Sequence, residues 1–386
     1  MKQRIRVIIT IVTAISLFFN VILPIAKNWS RFTEKFDPKL YEKKYNQSQY
    51  IIPQSKTPIS DEEIYAHAGY QYINGLNPIL INSDHPPLGK YMIGLFTIIT
   101  GNQRTIALFI GLSTLISVYL LTLFLTNSII LTILSILFLS LDTMFIDQII
   151  YSPMLDSIQV LFLILFFFTF LIWMKKQKIQ YLIISGIIFG FLSSVKMYFP
   201  ALIALGVSSL YLLLKNKNIY KTLFASLCII TIGFIIYLLS YSVFFIKGGT
   251  FISFLKSQKW IFLYWSQNAA RSASSFGAIF PFILFNCWKI WWGDFGYIKY
   301  QNWSIFWPLF FISGILSMLA SFLIKKSKIE KQKLFQSPII YLSLWILFCL
   351  SYLAFVPISP RYLMLIFYPL YIIITLAIKF IFPKYV

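Results

Sequence analysis

Apolar runs of about 20 residues recur along the whole chain, and each is long enough to cross a bilayer as a helix. Only helices and closed barrels can cross, because every backbone polar group needs a partner inside hydrocarbon. The runs are continuous and do not alternate with polar residues, which favours helices over a barrel. The sequence therefore predicts an all-α polytopic membrane protein, built as a single integral membrane domain over residues 1–386.

The apolar runs predict about ten transmembrane helices. The first run follows Lys2, Arg4 and Arg6 and continues to Ala26. It is long for a signal peptide and no small-residue cleavage site follows it, so we expect an uncleaved first span. The other predicted spans lie at about 104–125, 128–146, 156–174, 180–195, 198–214, 221–246, 303–324, 337–356 and 362–382, with boundaries uncertain by a few residues.

Two longer segments between the spans are predicted to be extracytoplasmic loops. The first covers residues 27–103 and ends with the short apolar segment 88–100, which suits a helix lying at the membrane interface better than a crossing. The second covers residues 247–302 and includes the aromatic run Phe276–Trp292, which we expect to be interfacial or re-entrant. We therefore expect a large, ordered first loop that carries interfacial helices.

The charge distribution supports this orientation. The chain has 33 Lys and Arg against 12 acidic residues, a formal net charge of +21, yet no soluble basic domain that would indicate nucleic-acid binding. Lys and Arg at membrane edges instead face anionic lipids or phosphate-bearing substrates. The positive-inside rule places the lysines of 175–178, 215–221 and 325–333 in the cytoplasm, and both loops outside, in a multi-pass protein of the plasma membrane.

Four groups of ionisable residues fall on the extracytoplasmic face. They are Asp61-Glu62-Glu63 with the following Asp84-His85-Pro86-Pro87-Leu88-Gly89-Lys90, then Asp156, Lys196 and Arg361. An ionisable residue at the end of a span is costly unless paired or solvated, which makes each a candidate functional residue. Simpler explanations exist: the loop carboxylates can be solvated surface, Asp156 a helix cap, and Lys196 and Arg361 snorkelling anchors.

These motifs resemble those of a known family. Asp61-Glu62 with Tyr65, followed by His85-Pro-Pro-Leu-Gly-Lys90, resembles the first-loop signature of the protein O-mannosyltransferases. Leu141-Asp142 with Met154-Leu155-Asp156-Ser157, and then Gly190 to Lys196, resemble later stretches of the same family. The aminoarabinose transferases of lipid A share a looser version. Both groups belong to the multi-span glycosyltransferase superfamily of GT-C type, which takes sugars from polyprenyl phosphates.

The resemblance implies a mannosyltransferase-like enzyme for protein glycosylation, with a polyprenyl-phosphate-linked sugar as donor and a hydroxyl of a protein or lipid as acceptor. It implies that Asp61 is the general base. Glu62 and Asp156 are further catalytic candidates, Asp156 as a residue that orients sugar or acceptor, and four residues are candidates for binding the donor phosphate: His85, Lys90, Lys196 and Arg361.

The chemistry fits these residue types. The donor carries phosphate as a good leaving group, so the reaction needs a carboxylate to take the hydroxyl proton and cations to hold the phosphate. Direct displacement at the anomeric carbon inverts its configuration.

The sequence is also compatible with other functions. One alternative is a cell-envelope glycolipid transferase of the aminoarabinose-transferase type, and another is a non-enzymatic transporter, which predicts inverted repeats and charges near the bilayer centre. The two histidines, His67 and His85, lack the close spacing of metal ligands. We therefore predict no metal site from the sequence, name no certain cofactor, and leave a divalent cation open.

Overall fold

The computed structural model describes residues 2–151, 153–270, 276–290, 296–323 and 337–382. These residues are mostly helical. The α-helices are α1 Lys2–Leu17, α2 Leu23–Lys27, α3 Ser30–Thr33, α4 Pro38–Asn46, α5 Asp61–Ile73, α6 Leu88–Thr100, α7 Thr105–Thr126, α8 Ile129–Ser140, α9 Thr143–Ile146, α10 Leu155–Lys176, α11 Ile179–Val195, α12 Phe199–Asn216, α13 Ile219–Ser240, α14 Ser242–Ile246, α15 Phe251–Ala270, α16 Ile279–Phe285, α17 Phe306–Leu323, α18 Pro338–Phe355 and α19 Met364–Ile381.

Short segments of other geometry complete the chain. Phe18–Ile22 and Asp147–Tyr151 are π-helical, and Pro360–Leu363 is a 3₁₀ turn that leads directly into α19. The strands β1 Trp288–Lys289 and β2 Tyr297–Ile298 form one antiparallel ribbon in the second loop. The predicted all-α polytopic class is confirmed.

The described residues contain seven helical stretches long and apolar enough to span a membrane, and an eighth if a bent pair counts as one span. The seven are Gln3–Lys27, α7, α10, α12, α13, α18 and Pro360–Ile381. Two further predicted spans correspond to apolar helices that are shorter, Ile179–Val195 and Phe306–Ser321. Among the described residues, the seven helices, the bent pair and these two shorter helices thus correspond to the ten predicted spans.

One predicted span is broken. The run 128–146 was expected to be a single crossing, but α8 ends at Ser140 and the next helical segment is bent by 67°. Asp142 begins that segment as an N-cap, because its carboxylate accepts a hydrogen bond of 3.0 Å from the backbone N–H of Met144. The break turns the following residues, Asp147 and Gln148, towards the cavity described below.

Helices α10 and α19 lie at the centre of the bundle. Helix α10 packs against α7 and α11, and α19 packs against α8, α17 and α18. Aromatic rings fill the space between α10 and α18, with Phe167 against Trp345 and Tyr341. Asp156 lies in the first turn of α10 and Arg361 in the 3₁₀ turn before α19, so both central helices bring a charged residue to one end of the bundle.

The first loop is ordered around a pair of short helices. Helices α5 and α6 touch backbone to backbone, since a Cβ atom added at Gly94 would lie 2.0 Å from the carbonyl oxygen of Gly69. Small residues permit this close approach between helices. At 13 residues α6 is short for a crossing, and its placement at the membrane interface stays a prediction.

The aromatic run of the second loop is not one continuous helix. Its described part consists of α16 followed by β1, which fits the expectation that it does not cross the membrane as a single span. The lysine cluster at 325–333, which supported the predicted membrane topology, lies outside the described residues.

The orientation can be tested by cysteine labelling. In a background without Cys228, Cys287 and Cys349, we expect a cysteine at Gln47 to react with an impermeant maleimide added outside, and one at Lys178 to react only after permeabilisation. Both positions are exposed, so accessibility to reagent and not burial decides the result. The opposite pattern would place the first loop in the cytoplasm.

Candidate functional site

Three consecutive carboxylates in the first turn of α5 form ion pairs with three different partners. The helix begins at Asp61 because Ser60 and Glu63 form a capping box, in which each side chain bonds the other's backbone N–H. Successive residues of a helix point about 100° apart. Glu63 therefore reaches Lys44 at 2.5 Å, Glu62 forms an ion pair with Arg104, and Asp61 points towards Arg361.

Arg361 joins the first loop to the bundle. Its Nη2 donates a hydrogen bond of 2.9 Å to Oδ2 of Asp61, and its Nε lies 3.1 Å from Oδ2 of Asp156. Asp61 and Asp156 are 95 positions apart in the sequence and lie on different helices. Arg361 lies at the start of the last span. One planar cation thus fixes the relative positions of Asp61 and Asp156.

Lys196 completes the group from the turn after α11. Its Nζ donates to Oδ1 of Asp156 at 2.6 Å and lies 4.9 Å from the centre of the Tyr362 ring. The Lys196 side chain is only 2% exposed. Burial and pairing argue against a snorkelling anchor, whose charged end would stay in water. Asp156 is likewise no helix cap, because Met154 holds the N-cap position of α10.

The segment before α6 is held by a buried lysine. The Nζ of Lys90 donates to the backbone carbonyl of Asn82 and, at 3.4 Å, to that of His85, and it lies 3.9 Å from Oδ1 of Asp84. The Lys90 side chain is fully buried. These contacts fix the loop that presents Asp84 and His85.

An aromatic residue of the second loop covers this segment. The indole of Trp265, on α15, stacks on the His85 ring with 5.0 Å between ring centres and donates a 2.8 Å hydrogen bond to the Asp84 carbonyl oxygen. Burial raises the pKa of the Asp84 carboxyl, and the nearby Lys90 opposes this effect. Burial, together with the surrounding cations Lys196, Lys90 and Arg361, lowers the pKa of His85 well below its usual value.

These residues surround one large cavity of about 600 Å³. Its walls carry charged, polar and aromatic side chains, among them Asp61, Tyr65, Asp84, His85, Asp147, Gln148, Lys196, Trp265, Trp288, Tyr300, Arg361 and Tyr362. Asp156 lies just behind this wall, in a narrow apolar crevice shared with Lys196 and Arg361. A cavity of this size with convergent charged groups is a typical ligand site.

The structure unites most of the predicted site residues. Asp61, Asp156, Lys196 and Arg361 are in one network of ion pairs, and His85 lies on the same cavity wall. Three predicted residues do not line the cavity, Asp156 behind its wall and two others. Glu62 points to Arg104 on the far side of α5, and Lys90 is enclosed behind the loop that it holds.

Most of the cavity residues carried no predicted role, among them Asp84, Asp147 and Trp265. Asp84 begins the motif that ends at Lys90, so the sequence drew attention to it. The sequence did not show that Asp84 lines the cavity. Asp147 and Trp265 carried no comparable signal, since neither stands in a recognised motif. The described residues hold no group of three or more His, Cys, Asp and Glu side chains placed to bind a metal ion.

Comparison with known proteins supports the resemblance. Residues 84–241 match the family model of the dolichyl-phosphate-mannose-protein mannosyltransferases, a segment that contains His85, Lys90, Asp156 and Lys196. The resemblance expected from the sequence motifs is therefore confirmed over this part of the chain, which is less than half of its length. No curated protein sequence matches the chain.

Among solved structures, the chain is similar to the crystal structure of the Archaeoglobus fulgidus oligosaccharyltransferase in its apo form, with 13% sequence identity and a TM-score of 0.49. That similarity covers 100% of this chain and 51% of the archaeal one, so the chain spans about half the length of that protein.

The environment of His85 predicts how stability depends on pH. The folded protein keeps His85 neutral, whereas the unfolded chain binds a proton below about pH 6.5. The unfolded state then carries the extra proton, so acidification from pH 7.5 to 5.5 lowers the free energy of unfolding. We expect this loss to be smaller in His85→Gln, measured by thermal unfolding of the purified protein. An equal loss in the free energy of unfolding for both proteins would show that His85 does not stay neutral on folding. His67 is present in both proteins, so its own contribution cancels in the comparison.

Proposed function

We propose that the protein is a membrane glycosyltransferase of GT-C type that moves a mannose-like sugar from a polyprenyl phosphate to an acceptor hydroxyl on the extracytoplasmic face of the plasma membrane. The observation that carries the proposal is the contact of Arg361 with Asp61 on one side and Asp156 on the other, beside Lys196, at the wall of the cavity. The family match over residues 84–241 supports the same activity.

Asp61 is the proposed general base. Its side chain is 38% exposed and lines the cavity, so an acceptor hydroxyl can approach it. As the hydroxyl oxygen attacks the anomeric carbon, Asp61 takes the hydroxyl proton and the bond from that carbon to the phosphate oxygen breaks. A single displacement of this kind inverts the configuration of the anomeric carbon.

Arg361 and Lys196 are the proposed phosphate ligands. Arg361 has five N–H donors, of which one is hydrogen-bonded to Asp61, and Lys196 has three, of which one is used by Asp156. The remaining donors can bind phosphate oxygens and stabilise the charge that grows on the leaving group. No strong general acid is required, because polyprenyl phosphate leaves as a stable anion.

We propose a role for Asp156 that differs from the one expected from the sequence. Its Oδ1 accepts a hydrogen bond from Lys196, its Oδ2 lies 3.1 Å from Nε of Arg361, and its side chain is only 7% exposed. We therefore infer that Asp156 positions the two cations and does not itself contact the sugar. The fixed cations need no reorganisation when the donor binds, which is the main advantage of a preorganised site.

The acceptor distinguishes two versions of this function. Mass spectrometry of glycoproteins and glycolipids from cells with and without the gene would identify the product. Loss of a hexose from proteins would support protein glycosylation, and loss from an envelope lipid would support the glycolipid alternative. No change in either fraction, in a strain that makes the donor, would contradict the proposal.

A further inference from the structure

The cavity has a second polar wall that the proposed reaction does not use. It is formed by Asp147 and Gln148 on the π-helical segment after α9, with the rings of Trp288 and Tyr300 from the second loop. Asp147 is 6% exposed. Trp288 donates a 2.7 Å hydrogen bond to the carbonyl of Ile358, close before Arg361 in the chain, so this wall adjoins the proposed phosphate site.

The carboxylate of Asp147 is held by neutral groups. Oδ1 accepts a hydrogen bond of 2.8 Å from Nδ2 of Asn302, and Oδ2 accepts one of 3.3 Å from Nε2 of Gln148. The Thr143 hydroxyl donates to the backbone carbonyl of Asn302 at 2.6 Å, which ties the second loop to the helix break. A carboxylate offers about four acceptor positions, so these two amide donors leave acceptor capacity on the same group.

A buried carboxylate of this kind is costly without a cation. None of the ion pairs among the described residues includes Asp147, whereas Asp61, Asp84 and Asp156 each contact a positive group. The cavity therefore presents a fixed carboxyl group with remaining acceptor capacity, near the proposed phosphate site but separate from its cations.

We propose that Asp147 accepts a hydrogen bond from a hydroxyl of the donor sugar and so selects which hexose is transferred. This inference rests on the proposed transferase function, because the sugar is bonded directly to the phosphate held by Arg361 and Lys196. A hexose is neutral and rich in hydroxyl donors, and a hydrogen bond to a carboxylate is among the stronger kinds.

The aromatic residues suit the same ligand. Trp288 and Tyr300 pack at right angles with 5.7 Å between ring centres, and Tyr300 stacks on Trp307 at 6.0 Å. Aromatic side chains combine apolar surface with a polar tip, and a sugar ring has apolar C–H faces beside its hydroxyls. The rings can therefore cover the sugar while Asp147 orients it.

A purely structural role for Asp147 is the competing explanation, since its bond to Asn302 links two segments. The two roles differ in their dependence on the sugar. We would measure transfer from a short-chain polyprenyl-phosphate mannose and from its four monodeoxy derivatives, in which the 2-, 3-, 4- or 6-hydroxyl is absent. Wild-type protein, Asp147→Asn and Asp147→Glu would be compared, with Asp142→Asn as the matched buried carboxylate that does not line the cavity.

In the wild type we expect one deoxy donor to lose roughly tenfold to a hundredfold in kcat/KM, the range for a hydrogen bond to a charged group. Asp147→Asn should have a lower kcat/KM with the parent donor and should lose little more with that deoxy derivative. Asp147→Glu keeps the carboxyl group but moves it, so it should change the ratio of kcat/KM between the parent and the deoxy donors. If Asp147→Asn fails to fold, the Asp147→Glu comparison still decides the matter. Asp142→Asn should keep the wild-type ratio.

The proposal is overturned if folded Asp147 variants discriminate among the five donors as the wild type does. It is equally overturned if the wild type accepts all four deoxy donors as well as the parent. Failure of the proposed function has a different signature, since the wild type would then transfer sugar from none of the donors.

Discussion

Replacing Asp61 with Asn is expected to reduce sugar transfer by about a hundredfold or more, the usual cost of removing a general base. The amide keeps the shape of the side chain but cannot take the hydroxyl proton. Donor binding should not weaken, because Arg361 loses an anionic partner and keeps its contact with Asp156. Turnover and donor affinity of the purified variant, measured separately, test both statements.

The matched control is Asp37→Asn in the same loop. Asp37 is exposed and caps α4, with its carboxylate accepting from the backbone N–H groups of Lys39 and Leu40. Asn caps helices about as well as Asp, so this variant should keep wild-type turnover. Near-normal turnover of the folded Asp61→Asn protein would mean that Asp61 is not the base, and Asp84, the other first-loop carboxylate on the cavity wall, would be examined next.

The second large effect is expected at Arg361→Lys. Lysine keeps the positive charge but cannot reproduce the planar fork, which reaches Asp61 and Asp156 while leaving N–H donors for a phosphate. The loss of one charge-assisted hydrogen bond, worth about 1.5–3 kcal/mol, corresponds to about a tenfold or greater loss of donor affinity. Binding of a short-chain polyprenyl-phosphate sugar to wild type and variant measures it directly.

Arg31→Lys is a suitable control for this substitution. The Arg31 guanidinium lies 5.7 Å from the centre of the Tyr151 ring and does not line the cavity. Its replacement should leave donor affinity unchanged. Unchanged affinity and turnover in Arg361→Lys as well would show that this residue is a structural anchor, with the donor phosphate held elsewhere.

Span ends explain why part of the site was predictable. Asp156 and Arg361 each stand at the start of an apolar run, and Lys196 stands between two such runs. The predicted membrane topology alone therefore placed them on the same face of the membrane as Asp61. An ionisable group at that depth needs a partner, and the structure provides the partners within the same set. Sequence position therefore indicated the face, and only the packing of α10 against α19 brought the charges into contact.

Side-chain direction was not predictable from the motifs. Glu62 follows Asp61 directly, yet one step along the helix turns it away to Arg104. Lys90 ends the most specific motif, but its side chain returns to the carbonyls of its own loop. Neither orientation is encoded in residue type or spacing, because each depends on contacts with segments distant in the sequence or on the local path of the backbone.

The helix break before Asp147 had a weaker signal. The run from Ser128 to Ile146 is apolar enough to be read as one span, and Asp142 is its one charged residue. Asp is a favoured N-cap residue, so Asp142 could have indicated a new helix start inside the run. If the run is taken as one unbroken span, the sequence does not indicate that Asp147 lines the cavity.

The most direct test of the proposed reaction is the configuration of its product. Purified protein in liposomes would be supplied with a polyprenyl-phosphate mannose of known anomeric configuration and an acceptor, and the product would be analysed by NMR together with the released polyprenyl phosphate. The single displacement at this site predicts an inverted anomeric carbon and one polyprenyl phosphate for each sugar transferred. Retained configuration, or no transfer from this donor by the folded protein, would contradict it.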